Sequence, residues 1–499
     1  MPAPSGRGRA VVRGRRPARG RRAGLVLAAP GGRAQPGRAG RGAPSRRDRE
    51  RPAETQLRRA EATTRIAVEA LDRVFGRFTS GRGAGSGGAL AGSDLGLPAQ
   101  PILSEDTARL LEELLPLYSS LSGQGESADP ALRRKADQAL VQVGRIRSRL
   151  GQHEAARQAY QEAALRWASA EAATPDEVEA RAIALAGALD GLGQTLQSLG
   201  DAEAAQATYE EALGHLRAAS SKRASVELLR EQGATMLLAL ESRGPRSDAL
   251  PVDGPEHGRE DQSAWQARSD LLDAAFADLE TARDRDPDDP DTKFLLARVH
   301  RERAGLFAAA RREGGREEMA AAEGLLDELV RDHPTALEYR YELARTLCRV
   351  PHHRVPEDER RRLEDQLERA VDILEDLSAE NPREVGLAAD LAHALHLYAG
   401  FLADGDRPGA EGMHRRAVGV QSYLLERMPD SLPTALWLSV YREQFGEYLL
   451  HGGKRDDAER QIEANLEMLE RLAAKDPELV HPYLDRAREA KERLPPRRR

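Results

Sequence analysis

The chain is poor in most of what marks an exported domain or an enzyme. One cysteine, Cys348, stands in 499 residues, so no intrachain disulfide can form. That usage suits a reducing compartment, and a cytoplasmic location is the expectation. No apolar run approaches the roughly 18–20 residues that cross a bilayer, so no membrane span is expected. The longest apolar stretch near the start, Ala23 to Ala29, is short and has no twin-arginine consensus, which argues against an export signal. Turn signals between β-branched strands are missing, which argues against a sheet. There is no G-x-x-x-x-G-K-[ST], no G-x-S-x-G, no H-E-x-x-H, and no kinase HRD or DFG element. With them go the nucleotide-hydrolysing, serine-hydrolase, zinc-protease and kinase chemistries. No enzyme activity, cofactor or metal is expected.

The isolated residues that could carry chemistry have plainer readings. Cys348 closes Arg345-Thr-Leu-Cys348 in an amphipathic helix, where a packed small residue is expected. His352 and His353 are adjacent in a turn and poorly placed to share a metal. His393 and His396 share a helix face but have no third ligand in view. Gly83-Ala-Gly85-Ser-Gly87-Gly88 has dinucleotide-type spacing, yet no strand precedes it, so it reads as a flexible linker.

What the chain has in abundance is helix-forming and charged residues. Hydrophobic residues make up 40% and charged residues 31%, with Ala, Leu, Glu and Arg dominant. The net charge of −7 hides a division, because residues 1–52 hold 15 Arg against one Asp and one Glu. Such a segment cannot bury enough apolar surface to offset its chain entropy, so disorder is expected there. It reads as a disordered tail, even as an upstream extension foreign to the native protein. A loose nucleic-acid contact and an anionic-membrane tether are the other readings. It carries no stacking aromatics, which disfavours sequence-specific nucleic-acid recognition.

Beyond the tail, Glu54 to Phe78 carries a helical apolar stripe through Ile66, Leu71, Val74, Phe75 and Phe78. Ser80 to Gly96 is a Gly/Ser/Ala linker. Ser104 to Leu121 is a second helix, with Leu110, Leu111, Leu114, Leu115 and Tyr118 on one side. Five X-Pro pairs then recur almost metronomically: Asp286-Pro287, His333-Pro334, Asn381-Pro382, Met428-Pro429 and Asp476-Pro477, spaced by 47, 48, 47 and 48 residues. A fixed step of this length marks stacked supersecondary units. Prolines at these places are expected to end one helix and start the next. Ten residues after each proline stands a small residue: Ala297, Ala344, Ala392, Ser439 and Ala487. Twelve before come Ala275, Ala322, Ala370 and Ala417, with a slip to Ala464 in the last unit.

An earlier pair of units shows the same design. Val143-Gly144, Gly151, Ala156, Tyr160 and Ala163 are repeated 49 residues on by Leu192-Gly193, Gly200, Ala205, Tyr209 and Ala212. Gly144 and Gly193 let helices approach closely. Gly151 and Gly200 end a helix in a conformation that a side chain resists. The Ala–Tyr steps lock helix on helix. A third unit is irregular: a helix from Ala224 to Leu240, then a Gly/Pro/Asp-rich loop over 241–262 expected to be mobile. Pro351 to Pro356 is a shorter turn.

These residues resemble the tetratricopeptide repeat (TPR), an antiparallel helix pair with small residues at two fixed positions and a proline after the second helix. The family period is about 34 residues and the period here is about 48, so each helix should be longer by roughly two turns. The stretch Leu57 to Phe75 is similar to the helix opening the TPR-rich regions that accompany bacterial serine/threonine kinases. That softer resemblance implies a bacterial signalling context and a regulatory or sensor module acting in trans.

The resulting expectation is an all-α solenoid of stacked antiparallel TPR-like helix pairs. The segments are a disordered tail over 1–52 and a helix pair with its linker over 53–127. Repeats with a mobile loop fill 128–286, and long-period repeats with a capping helix, Pro477 to Leu494, fill 287–499. About eight pairs are counted. The expected function is a non-catalytic protein–protein interaction scaffold or adaptor for peptides or protein domains. In TPRs the first helix of each pair lines the concave side. Residues one and four places after each small anchor should then face inward: Arg298, Arg301, Arg345, His393, His396, Arg488 and Lys491, with Arg145 from an earlier unit. A basic stripe of this kind suits an acidic peptide or a C-terminal carboxylate.

Overall fold

The computed structural model describes residues 105–122, 130–220, 224–243, 262–309, 313–349, 357–382, 385–405, 408–429, 431–474 and 476–495. All of them fall in the unit Glu61–Arg499. The Arg-rich segment, the helix expected over Glu54 to Phe78 with its kinase-region resemblance, and the Gly/Ser linker lie outside the described residues. So do most of the loop expected over 241–262 and the turn holding His352 and His353.

Sixteen helices and no strand occur among the described residues. They are α1 (Glu105–Ser122), α2 (Pro130–Arg149), α3 (His153–Ser169), α4 (Pro175–Ser198), α5 (Ala202–Ala219), α6 (Val226–Arg243), α7 (Gln262–Arg285) and α8 (Pro290–Ala309). The rest are α9 (Gly315–Asp332), α10 (Leu337–Leu347), α11 (Glu357–Glu380), α12 (Val385–Asp404), α13 (Ala410–Arg427), α14 (Leu432–His451), α15 (Arg455–Ala473) and α16 (Pro477–Glu492). Seven pairs run from α2–α3 to α14–α15, with α1 packed before them and α16 after them. Most helices have 16–24 residues, the extra length that a 48-residue period requires; α10, with 11, is the exception.

Helix ends follow local chemistry. Gly151 and Gly200 take φ of 71° and 86°. Beyond them the Gln152 and Asp201 amides reach back to the Arg147 and Leu196 carbonyls, at 2.8 and 2.9 Å. The left-handed glycine thus satisfies carbonyls that the helix leaves open. Thr174 caps α4 reciprocally with Glu177, each side chain bonding the other's backbone amide.

The recurrent prolines behave differently from expectation. Of the five, only Pro477 opens a helix. Pro334, Pro382 and Pro429 sit in the connecting turns, and α10, α12 and α14 begin three residues later at Leu337, Val385 and Leu432. Pro287 likewise precedes α8, which opens on Pro290. The recurrent proline stops the preceding helix by lacking an amide, and the turn still needs room to reverse direction.

The small anchors are the centre of the packing. Ala297, Ala344, Ala392, Ser439 and Ala487 are all buried, as are Ala156, Ala205, Ala275, Ala322, Ala370 and Ala417. In the last pair the 48-residue step lands on Asn465, which is buried, whereas Ala464 is only half-buried. The expected slip to Ala464 is therefore corrected: the register holds, and asparagine occupies the small-residue position. Its Nδ2 donates to the Ser439 carbonyl at 3.4 Å, joining the two anchors of one pair. Gly193 lies under the Tyr209 ring, where an added Cβ would stand 2.5 Å from a ring carbon. Tyr160 is pressed between Gly144 of its own pair and Gly191 of the next.

Candidate functional site

The helices form two layers. Most even-numbered helices touch the next even-numbered helix: α2 meets α4, α4 meets α6, α6 meets α8, α8 meets α10, α12 meets α14 and α14 meets α16. The odd-numbered layer is bridged by long side chains instead. Arg362 and Gln366 of α11 both reach Glu323 of α9, and Arg369 reaches Asp327. Arg416 of α13 reaches Glu375 of α11, and Lys454 before α15 reaches Glu411 of α13. Charges of one repeat thus pair with those of the next. The even-numbered layer is the more tightly spaced, and it carries the residues expected to face a ligand.

The structure brings three of those residues together. Arg298 and Arg301 of α8 meet Arg345 of α10, but each already has an acidic neighbour. Arg298 pairs with Glu241 of α6. Arg301, fully buried, lies between Glu342 at 2.7 Å and Glu302 at 2.9 Å. Arg345 is 3.6 Å from Glu342, and Arg349 is 3.9 Å from Glu302. Burial works against the ionised form of Glu342, yet Arg301, Arg345 and Arg298 together hold its carboxyl below the ordinary range. This cluster is an internal ion-pair network spanning α6, α8 and α10, and its positive charge is largely matched from within. The expectation of an open basic stripe overlooked the acidic partners. Glu241 stands 57 residues before Arg298, and Glu342 stands on α10 while Arg301 stands on α8, so the fold and not the spacing brings these pairs together.

The remaining expected residues are dispersed. His396 is buried and stacked on Tyr441 with ring centroids 4.3 Å apart; His393 meets Trp437 edge-on at 5.3 Å. Burial, with His393 and His414 nearby, pushes His396 down to about 3, and burial pushes His414 down to about 4. Both are therefore neutral, packed aromatic pieces of the core at neutral pH. No group of three metal-ligating side chains occurs among the described residues. Cys348 caps the C-terminus of α10, half-buried. Arg488 and Lys491 are exposed on α16, near Asp485 and Glu463, both at 3.5 Å.

Arg145, on α2, stands apart from the network. It is half-buried, with Nη1 3.5 Å from Gln142 Oε1, and it hydrogen-bonds the Tyr160 side chain. One turn further along lies Arg149, which the anchor rule did not select. Its signal was the Arg145-x3-Arg149 spacing, which puts both guanidiniums on one helix face. On the neighbouring even-numbered helices lie two carboxyls, Asp190 of α4 and Glu231 of α6. Burial raises Glu231 to about 7 against the pull of Arg230 and Arg145. Burial and Glu231 together raise Asp190 well above the carboxylate range, although Thr235 donates to it at 2.7 Å.

Residues 137–166 and 186–214 match the tetratricopeptide repeat family model. These stretches hold both Gly/Ala/Tyr units. No curated protein matches the chain. Among solved structures, a thermophilic TPR protein of Thermus thermophilus is 23% identical, with 44% of this chain and 93% of that one covered and a TM-score of 0.23. A tetratricopeptide repeat protein of Parabacteroides merdae is 14% identical, covering 70% of this chain and 98% of that one, with a TM-score of 0.30.

Proposed function

We propose that this chain, which carries tetratricopeptide repeats and continues them as further helix pairs of the same design, is a protein-interaction scaffold that works by binding. The observation that carries this reading is the unbroken run of pairs registered on buried small residues. A stack of this kind keeps one layer of helices closely aligned over many repeats, and extended surfaces on such layers suit peptides or protein domains. The even-numbered layer is the proposed binding side, since its helices are the ones that adjoin their successors. The Arg298–Arg301–Arg345 cluster supports that side structurally by holding three helices in place; it is not itself the proposed contact.

The test is cross-linking mass spectrometry on the full chain with partners captured from native cells. Cross-links and protection from hydrogen exchange are expected on α2, α4, α6 and the even-numbered helices that follow. Contacts confined to the odd-numbered helices, or to residues 1–104, would discard the assignment of the binding side.

A further inference from the structure

We propose that the contact between α4 and α6 is proton-controlled: Asp190 and Glu231 hold it closed while both carry protons, and ionisation of Glu231 loosens it. The device lies in the fold itself and does not depend on what the even-numbered layer binds.

The geometry places the two carboxyls on one seam. A methyl added at Gly187 of α4 would stand 3.5 Å from a Glu231 carboxyl oxygen, and Thr235 Oγ1 donates to Asp190 Oδ2 at 2.7 Å. About one turn separates the two contacts along each helix, so Asp190 faces the stretch of α6 between Glu231 and Thr235. Asp190 is fully buried, its Oδ1 has no hydrogen-bond partner, and no cation is paired with it among the described residues. One hydroxyl is too little to hold a bare carboxylate in that setting, so Asp190 keeps its proton. Protonation turns an acceptor without a donor into a donor, and Glu231 is the carboxyl whose charge bears on it. Glu231 itself is half-buried, which gives its proton a way to water. The N-terminal end of the seam is pinned independently, by the Ser225 amide donating to Glu179 at 2.9 Å.

The other groups facing the seam leave Glu231 as the one that titrates near neutral pH. Arg145 of α2 and Arg230 of α6 favour its charged form, but burial outweighs them and raises it to about 7. Arg230 is itself engaged by Asp289 and Asp291 at the N-terminus of α8, at 3.2 and 3.5 Å. Tyr160 of α3, beside Arg145 and Arg149, is raised to about 12, and Tyr209 of α5, beside Asp190 and Glu241, is raised well above the ordinary phenol. Both phenols therefore stay neutral. α7 meets α6 here through Leu279, packed on Gly233. Because the folded value of Glu231 lies above the ordinary 4.5, its contribution to the contact is complete in acid and is lost as pH rises through about 7. In that step the Glu231 O–H bond breaks, the proton passes to water and the electron pair stays on the carboxylate. The new charge is drawn out of the seam toward water and the two arginines.

Hydrogen exchange of the full chain, read by mass spectrometry at about pH 6 and about pH 8 and corrected for the intrinsic pH dependence of exchange, follows the contact directly. Peptides covering Leu185 to Leu196 and Glu231 to Leu240 should lose about tenfold in protection between the two, as expected for one carboxyl moved from 4.5 to about 7. α14 should keep its protection. Glu231→Gln, which cannot ionise, should retain the acid-side protection and remove the drop. A second readout needs no variant: the infrared carbonyl band of a protonated carboxyl should weaken in wild type over the same interval. An equal drop in Glu231→Gln, a drop of the same size in α14, or no loss of the protonated-carboxyl band would each overturn the proposal.

Discussion

Tyrosine rings set close against glycines mark the packing of the N-terminal repeats. Gly191 presses on the Tyr160 ring from the following pair, so Gly191→Ala must push that ring or the helix away. A loss of about 1–3 kcal/mol is expected, the usual cost of overpacking, read from urea denaturation. The buried histidines make a second prediction at this scale. His396 and His414 are held neutral in the fold at about 3 and about 4, far below the 6.5 of an exposed imidazole. Below pH 6.5 the unfolded chain therefore binds more protons at these positions than the folded one. Their contribution to stability is intact above that pH and falls by up to ~1.4 kcal/mol per group per pH unit toward pH 4. Glu231 acts oppositely between pH 4.5 and about 7, because its raised value favours the fold when protonated. The clean measurement is a difference: His396→Leu should show a shallower loss of melting temperature between pH 6.5 and 4 than wild type. Parallel curves would rule out His396 as a source of acid sensitivity.

At the scale of helices, ion pairs play two roles of different weight. The ladder between odd-numbered helices, such as Arg369 with Asp327, lies near the surface. Removing one rung should cost only about 0–1 kcal/mol and less in high salt. The network of α6, α8 and α10 is buried. Glu342→Ala leaves Arg301 with much of its charge uncompensated, and a loss of roughly 3–5 kcal/mol is expected in thermal or urea unfolding. A loss within the range of a surface rung would show that the network is looser than its burial implies. The repeating small residues, by contrast, were readable directly. Ala297, Ala344, Ala392 and Ala487, with Ser439 and the alanines upstream of the prolines, are buried anchors because a period of 47 or 48 residues returns each to the same helix face. Asn465 escaped because polarity masked its place in the register, and only its packing beside Ser439 reveals it.

Over the whole stack, stability depends on neighbours. α16 closes the last pair with Val480, Tyr483, Leu484 and Ala487 buried, while Asp485, Arg488 and Lys491 face outward. Deleting residues 476–499 would uncover apolar surface of α14 and α15. A lowered unfolding midpoint and a tendency to associate in size-exclusion chromatography are expected. An unchanged midpoint would mean that α16 is not a functioning cap.

The helical class, the period, the pairing and most of the anchors followed from the chain alone, because they depend on spacing along one strand of residues. Which arginines are matched and which are left over did not. Arg301 and Glu342 are 41 residues apart in sequence and 2.7 Å apart in space, so only folding brings such charges together. That neutralised much of the expected basic stripe, because the shared interior sets each of these guanidiniums beside a carboxylate that spacing along the chain does not place there.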